Sequence, residues 1–181
     1  SYFPVNFSQL RADISPRTLH EAESFQIGSI TVTPKYVNHP VPTLAYRFEA
    51  EGKSIVFLTD IEPYRDIIYE GVCDDENERE EFEEVQLIVK QQNDKIVAFC
   101  RDAGVLVIDA QYTHEEYERS YIGWGHTSMK DAVEIGERAN ARDVVFCHHD
   151  PNRTDDQLDR LIGSHAERLG KVKNAGIQRL L

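Results

Sequence analysis

The sequence predicts an α+β fold, and three observations lead there. Paired strand patterns fill the first third of the chain, strands alternate with helical patterns after it, and the later strands are continuous apolar runs. Residues 1–23 show no clear period, with Ser15-Pro16 marking a turn. SFQIG and SITVTPKYV read as a hairpin around Gly28-Ser29, and LAYRFEA with KSIVFLT as a second around Glu51-Gly52. Glu62 to Asp75 reads as a loop. A long helix is predicted from about Asn77 to Asp102, with Phe82, Val85, Val89, Ile96 and Phe99 on one face and Gly104 ending it. VLVIDA follows as a buried strand, and residues 111–127 as a second loop rich in aromatic and polar groups. Ser128 with Asp131 has the form of a capping box, opening a helix through Asn140 whose small-residue face is Ala132, Ile135, Gly136 and Ala139. DVVFC is a strand buried on both faces. Thr154 with Gln157 caps a last helix carrying Leu158, Leu161, Ile162 and Leu169 on its buried side.

With 181 residues and no repeat, low-complexity segment or linker, the chain reads as one domain or one piece of a domain. No apolar run approaches the roughly 20 residues that span a bilayer. SYFPVNFSQL lacks the basic start and apolar core of a signal peptide, and without an initiator Met the chain reads as beginning partway through something. Cys73, Cys100 and Cys147 are odd in number, scattered and without metal spacing, so reduced thiols and a cytoplasmic setting are expected. A formal charge of −12 argues against broad polyanion binding. Much of that charge lies in DDENEREEFEE, from Asp74 to Glu84, which reads as a solvated loop and helix start rather than a partner surface.

The strand ends carry the chemistry. DVVFCHHDP ends in His148, His149 and Asp150 before Pro151; TVTPKYVNHP delivers Asn38 and His39; SIVFLTD delivers Thr59 and Asp60; VLVIDAQYT carries Asp109. Apolar strands ending in imidazole or carboxylate suggest a metal centre assembled at one edge of a sheet. Neutral imidazoles with a carboxylate suit Zn²⁺, with Mn²⁺ or Fe²⁺ as alternatives. Metal binding lowers the pKa of water to about 7, so hydroxide becomes available at neutral pH.

Taken together, NHPVPTLAYRFEAEGKSIVFLTD, VLVIDAQYT, WGHTS before a helix and VVFCHHDP resemble the metallo-β-lactamase-fold hydrolases. Within them the chain looks most like the phosphodiesterase branch that includes the ribonuclease Z enzymes. The resemblance covers roughly residues 24–165, and its strength lies in four motifs in the family's order. It implies that His39, Asp60 and His148 are metal ligands, with Asp60 bridging two divalent ions. It also implies that His126 serves the scissile phosphate or donates a proton, and that Asp109 orients His126. The family's H-x-H-x-D-H motif, which supplies most ligands of both metals, does not occur here. The chain therefore resembles the C-terminal half of an αβ/βα sandwich, a single partial domain over residues 1–181 that lacks the half bearing that motif. The implied partners are a small phosphodiester or other ester and the N-terminal half or a second copy; no membrane is implied, and nucleic acid is left open.

Each residue has a plainer alternative. Asp60 caps a turn with Thr59, and His126 is a helix-entry residue before Ser128. His149 is a second ligand or substrate contact or, more plainly, points away from the metal; His165 packs in the core, and His114 and His20 are exposed. Tyr121 and Trp124 either wall the pocket beside His126 or pin its loop. The implied function is metal-dependent hydrolysis of phosphodiesters by a metal-bound hydroxide when the domain is complete. The alternatives are hydrolysis of a lactone, thioester or sulfate ester on the same fold, and a non-catalytic half-domain acting as a structural or binding module.

Overall fold

The structure, a computed structural model, describes residues 11–15, 17–21, 23–66, 76–169 and 177–179. Pro16, Cys73, the loop beyond Asp66 and the first two acids of the 74–84 run lie outside these residues. Strands β1 (Phe25–Ile27), β2 (Ile30–Val37), β3 (Thr43–Ala50), β4 (Lys53–Leu58), β5 (Val105–Asp109), β6 (Asp143–Cys147) and β7 (Ile177–Arg179) form one sheet in sequence order. Helices α1 (Glu76–Cys100), α2 (a single turn, His114–Glu116), α3 (Met129–Arg138) and α4 (Asp155–Leu169) complete the described chain.

Both expected hairpins form. β1 and β2 turn at Gly28-Ser29, with Ile27 opposite Ile30. β3 and β4 turn at Glu51-Gly52, whose positive φ angles of 51° and 71° give the primed turn that matches strand twist. From β4 onward the pairings are parallel, and α1 and α3 make the crossovers. β2 lies antiparallel to β3 and β3 to β4, so β2 runs the same way as β4, β5 and β6. Their carboxyl ends therefore share one rim.

The two faces of the sheet differ. Val37, Ala45, Val56, Leu58, Leu106, Ile108, Val144 and Phe146 point to one side, where Ile96, Val97 and Cys100 of α1, Ala132, Val133 and Ile135 of α3, and Leu158 and Ile162 of α4 complete the core. On the other side, Tyr46 sits opposite Phe57 and Phe48 opposite Ile55. Their rings touch, Tyr46 to Phe48 at 6.2 Å and Phe48 to Phe57 at 6.1 Å between centroids. Ile55 and Phe57 nevertheless stay 42% exposed, so among the described residues no helix covers this aromatic face. No described helix is long and apolar enough to cross a membrane.

Several element-level expectations need correction. The α1 stripe buries only towards its end: Ile96 is in the core, Phe82, Val85, Val89 and Phe99 are half-buried, and Leu87 and Ile88 are exposed. Gly104 does not stop α1. Asp102 does, taking φ +53° and donating its N–H to the Ala139 carbonyl at 2.8 Å. Gly104 is instead a point of close approach, where a Cβ would lie 2.9 Å from the Ser54 carbonyl oxygen. α3 ends at Arg138, because Asn140 adopts φ +53° and donates from its side chain to Asp102 at 2.7 Å. Residues 111–127 are not simply a loop: Thr113 and Glu116 make a capping box for α2, and a π-helical turn follows over Tyr117–Tyr121. The cap of the last helix forms as expected, with Thr154 N–H donating to Gln157 at 2.8 Å and Gln157 N–H to Thr154 at 3.3 Å.

Candidate metal centre

Four segments reach the rim, and each ends an element described above. His39 follows β2, Asp60 follows β4, Asp109 closes β5 and His148 follows β6. Asp60 and His148 both leave their strands with left-handed backbone, at φ 53° and 58°. Non-glycine residues in this region cost on the order of 1–3 kcal/mol and persist where the surroundings hold them. Here the twist turns both side chains off the strand axis towards each other, and His148 Nδ1 lies 3.6 Å from Asp60 Oδ1.

His126 completes the cluster. Ligand-type atoms of His39, Asp60 and His126 lie within 4.8 Å of one another, and so do those of Asp109, His126 and His148. The His126 ring stacks on His148 at 4.6 Å between centroids and meets His39 edge-on at 5.7 Å. The expected His126–Asp109 pair forms, and His126, expected as a non-ligand, is the member common to both groups. Of the three expected ligands, His39 and Asp60 share one group, and His148 stands in the other and approaches Asp60.

Asp109 is 0% exposed, a burial that a carboxylate tolerates only when fully hydrogen-bonded. Its Oδ1 accepts the Gln111 and Thr127 N–H groups, each at 3.2 Å, and its Oδ2 lies 2.8 Å from His126 Nδ1. The Asp109 hydrogen bond raises the His126 pKa above its ordinary value, while burial works against that rise. Because Nδ1 is engaged, any further contact of His126 falls to Nε2.

His39 is braced in a similar way. Its Nδ1 lies 3.2 Å from both the Val41 carbonyl and the Thr43 hydroxyl. Tyr112 stacks on Tyr121 at 4.0 Å with ring planes 2° apart, and the Tyr112 ring also meets His126 at 6.4 Å. Trp124 meets Tyr121 edge-on and is 60% exposed. Of the two alternatives for this pair, Tyr121 pins the loop and Trp124 stands open at its outside.

Among the other histidines, His165 is half-buried against Phe146 at 6.4 Å, and His20 is exposed. His114 is not fully exposed as expected, because Lys130 Nζ lies 3.1 Å from its Nε2. His149 is half-buried beside the rim.

One residue at the rim carries no signal in the sequence. Glu62, 5% exposed, accepts from Tyr117 Oη at 2.6 Å and the Gly123 N–H at 2.7 Å through Oε1, and from the Gly125 N–H at 2.8 Å through Oε2. Its partners lie 55 to 63 positions away, beyond the reach of any local pattern.

The mixed sheet with helices on one face and four polar strand ends on one rim is the metallo-β-lactamase fold, of which this chain forms about half. It is similar to the metallo-beta-lactamase fold protein YhfI from Bacillus subtilis, at 14% identity and a TM-score of 0.57, covering 90% of this chain and 50% of that one. It is also similar to a diphosphatase from the PhnP family, at 18% identity and a TM-score of 0.54, covering 96% of this chain and 49% of that one. The chain spans about half the length of these structures. No family model and no curated protein sequence matches it.

Proposed function

We propose that this chain is one half of a metal-dependent phosphodiesterase, with His39, Asp60 and His148 as its metal ligands and His126, oriented by Asp109, serving the phosphate. The observation behind this reading is His126, whose imidazole joins His39 and Asp60 at the rim while its Nδ1 is held by the buried Asp109. Fold alone does not choose a reaction; the residue types and their spacing carry the reading.

The donor set fits a divalent cation. Imidazoles with a carboxylate suit Zn²⁺, with Mn²⁺ or Fe²⁺ as alternatives, and Asp60 stands close to His148 and in one group with His39. Two such ions, when bound, supply an activated water at neutral pH and offset phosphate charge. For His39, Nδ1 is engaged by the Val41 backbone and the Thr43 hydroxyl, so Nε2 is the nitrogen left for a metal, with the ring braced as ligating histidines commonly are. Asp60 has two oxygens, so one carboxylate can face two ions. In this reading the remaining ligands would come from a half of the domain bearing the H-x-H-x-D-H motif.

His126 has a different task. With Nδ1–H donated to Asp109, Nε2 is left for other contacts, and a protonated ring can donate there to the oxygen leaving phosphorus. The raised pKa keeps that proton available to higher pH than an ordinary histidine would. Asp109 is already held by two backbone N–H groups, so it orients the ring without rearranging. The net charge of −12 favours a small or cyclic phosphodiester over a long nucleic acid. Free thiols at Cys100 and Cys147 are in keeping with a cytoplasmic setting.

The test is a Zn²⁺ titration followed by turnover of phosphodiester, lactone, thioester and sulfate-ester substrates by the whole protein. Metal binding abolished by His39→Ala or Asp60→Asn, with turnover of the phosphodiester alone, supports the reading. Turnover of another ester moves the chain to that class. Failure to bind metal leaves only a structural or binding module.

A further inference from the structure

We propose that Glu62 is a positioning residue, clamping the segment before His126 against the His39 ring and so setting the distance between the two working sides of the rim. The catalytic consequence of this role rests on the reading of His126 given above; the geometry does not.

Glu62 follows Asp60 by two residues, and its own N–H donates to the Asn38 carbonyl at 2.9 Å, directly beside His39. Its carboxylate then reaches across to the far loop, taking the Tyr117 hydroxyl and the N–H groups of Gly123 and Gly125. One residue thus ties the exit of β2, through its backbone, and the loop that delivers His126, through its side chain, to the exit of β4. Both oxygens are occupied by donors and the group is buried, so it is not a further metal ligand. A buried carboxylate with three donors is fixed in place, because losing any one of them exposes an unpaired group inside the protein.

Gly125 shows how tight the clamp is. It has φ +86°, and a Cβ built there would lie 2.3 Å from His39 Cδ2 and 2.5 Å from Pro40 Cδ. The backbone therefore passes directly over the His39 ring, and the hydrogen bond from Gly125 to Glu62 holds it there. The next residue is His126. Asp109 braces His126 from the strand side, through the ring nitrogen and the Thr127 N–H. Glu62 braces the same segment from the opposite side. Asp109 fixes which way the ring faces, and Glu62 fixes where the ring stands relative to His39 and Asp60.

Glu62→Gln isolates the effect. The amide keeps the size and one acceptor, but its NH₂ must face either the Gly123 or the Gly125 N–H, and one backbone donor is left unpaired. In the full chain with Zn²⁺, hydrogen exchange at Gly123 and Gly125 should speed by about tenfold, the expected consequence of one lost hydrogen bond. The imidazole N–H signal of His126 should broaden or shift. Amides of β5 and β6 should keep their protection, and Zn²⁺ affinity should be unchanged. Tyr117→Phe, which removes only the hydroxyl, should give a smaller change in the same residues, and it serves if the Gln variant does not fold. Unaltered exchange at Gly123 and Gly125 overturns the proposal, and so does acceleration spread evenly through β5 and β6, the mark of a merely structural role. The two readings fail separately. If His126→Ala leaves turnover intact, the catalytic reading falls and the Glu62 clamp stands. If the exchange pattern is flat, the clamp falls and the catalytic reading stands.

Discussion

At the scale of single residues, the division of labour between His126 and its neighbours makes distinct predictions. His126 is assigned to the phosphate and not to a metal, so on that reading removing its ring should cost chemistry rather than metal. His126→Ala should leave Zn²⁺ content unchanged and lower turnover of an alkyl phosphodiester by roughly 10²–10⁴, the range for a lost general acid. A nitrophenyl ester, whose leaving group needs no proton, should lose far less. Loss of Zn²⁺ in this variant would make His126 a ligand instead. Asp109 is tested through pH. Its hydrogen bond raises the folded-state pKa of His126, so the pair stabilises the fold fully below the unfolded value of about 6.5 and loses that contribution as pH rises through the higher folded value. In the metal-free protein, Asp109→Asn should lower the His126 pKa measured by NMR. The stability gap between wild type and variant should narrow as pH rises through that window. The part that persists at high pH is the loss of acceptor strength towards Gln111 and Thr127.

At the scale of elements, two positions in the 123–128 segment can be separated. Gly125→Ala places a methyl against the His39 ring in a left-handed backbone, and should destabilise by about 1–3 kcal/mol. Because His39 must give way, Zn²⁺ affinity should fall as well; a variant with wild-type affinity would show that the loop yields instead. Ser128 caps α3, accepting from the Asp131 N–H at 3.1 Å. Ser128→Ala should cost about 1 kcal/mol in thermal or urea unfolding. That loss should leave Zn²⁺ affinity unchanged, since the cap supports the helix and not the rim.

At the scale of the whole molecule, the sheet has one face packed by helices and one that presents Tyr46, Phe48, Ile55 and Phe57. An apolar aromatic face of this kind associates in water. We expect the chain alone to pair with a second copy, or to bind a separately produced partner half, with Phe57→Lys weakening either contact. Light scattering that shows a stable monomer at all concentrations would remove this expectation.

Apart from α2, the π-helical turn and β7, the sequence by itself determined the elements and, apart from Glu62, the polar residues that end the strands at the rim. Hairpin turns, helix caps and apolar strands are written in neighbouring positions, and His39, Asp60, Asp109 and His148 each stand where a strand pattern stops. What it did not determine were features set by residues far apart. The burial of α1 depends on where the sheet lies beneath it, so a stripe from Phe82 to Phe99 buries fully only at its last turns. Gly104 looked like a helix stop and proved to be a contact with Ser54. The segment after Asp109 read as loop because its helical turn is held by a local cap and by Glu62 from across the rim. Glu62 was invisible for the same reason: a carboxylate with long-range donors has no period and no motif. Local preferences act over a few residues and leave a pattern; a buried charge takes its meaning only from the donors that the folded chain brings to it.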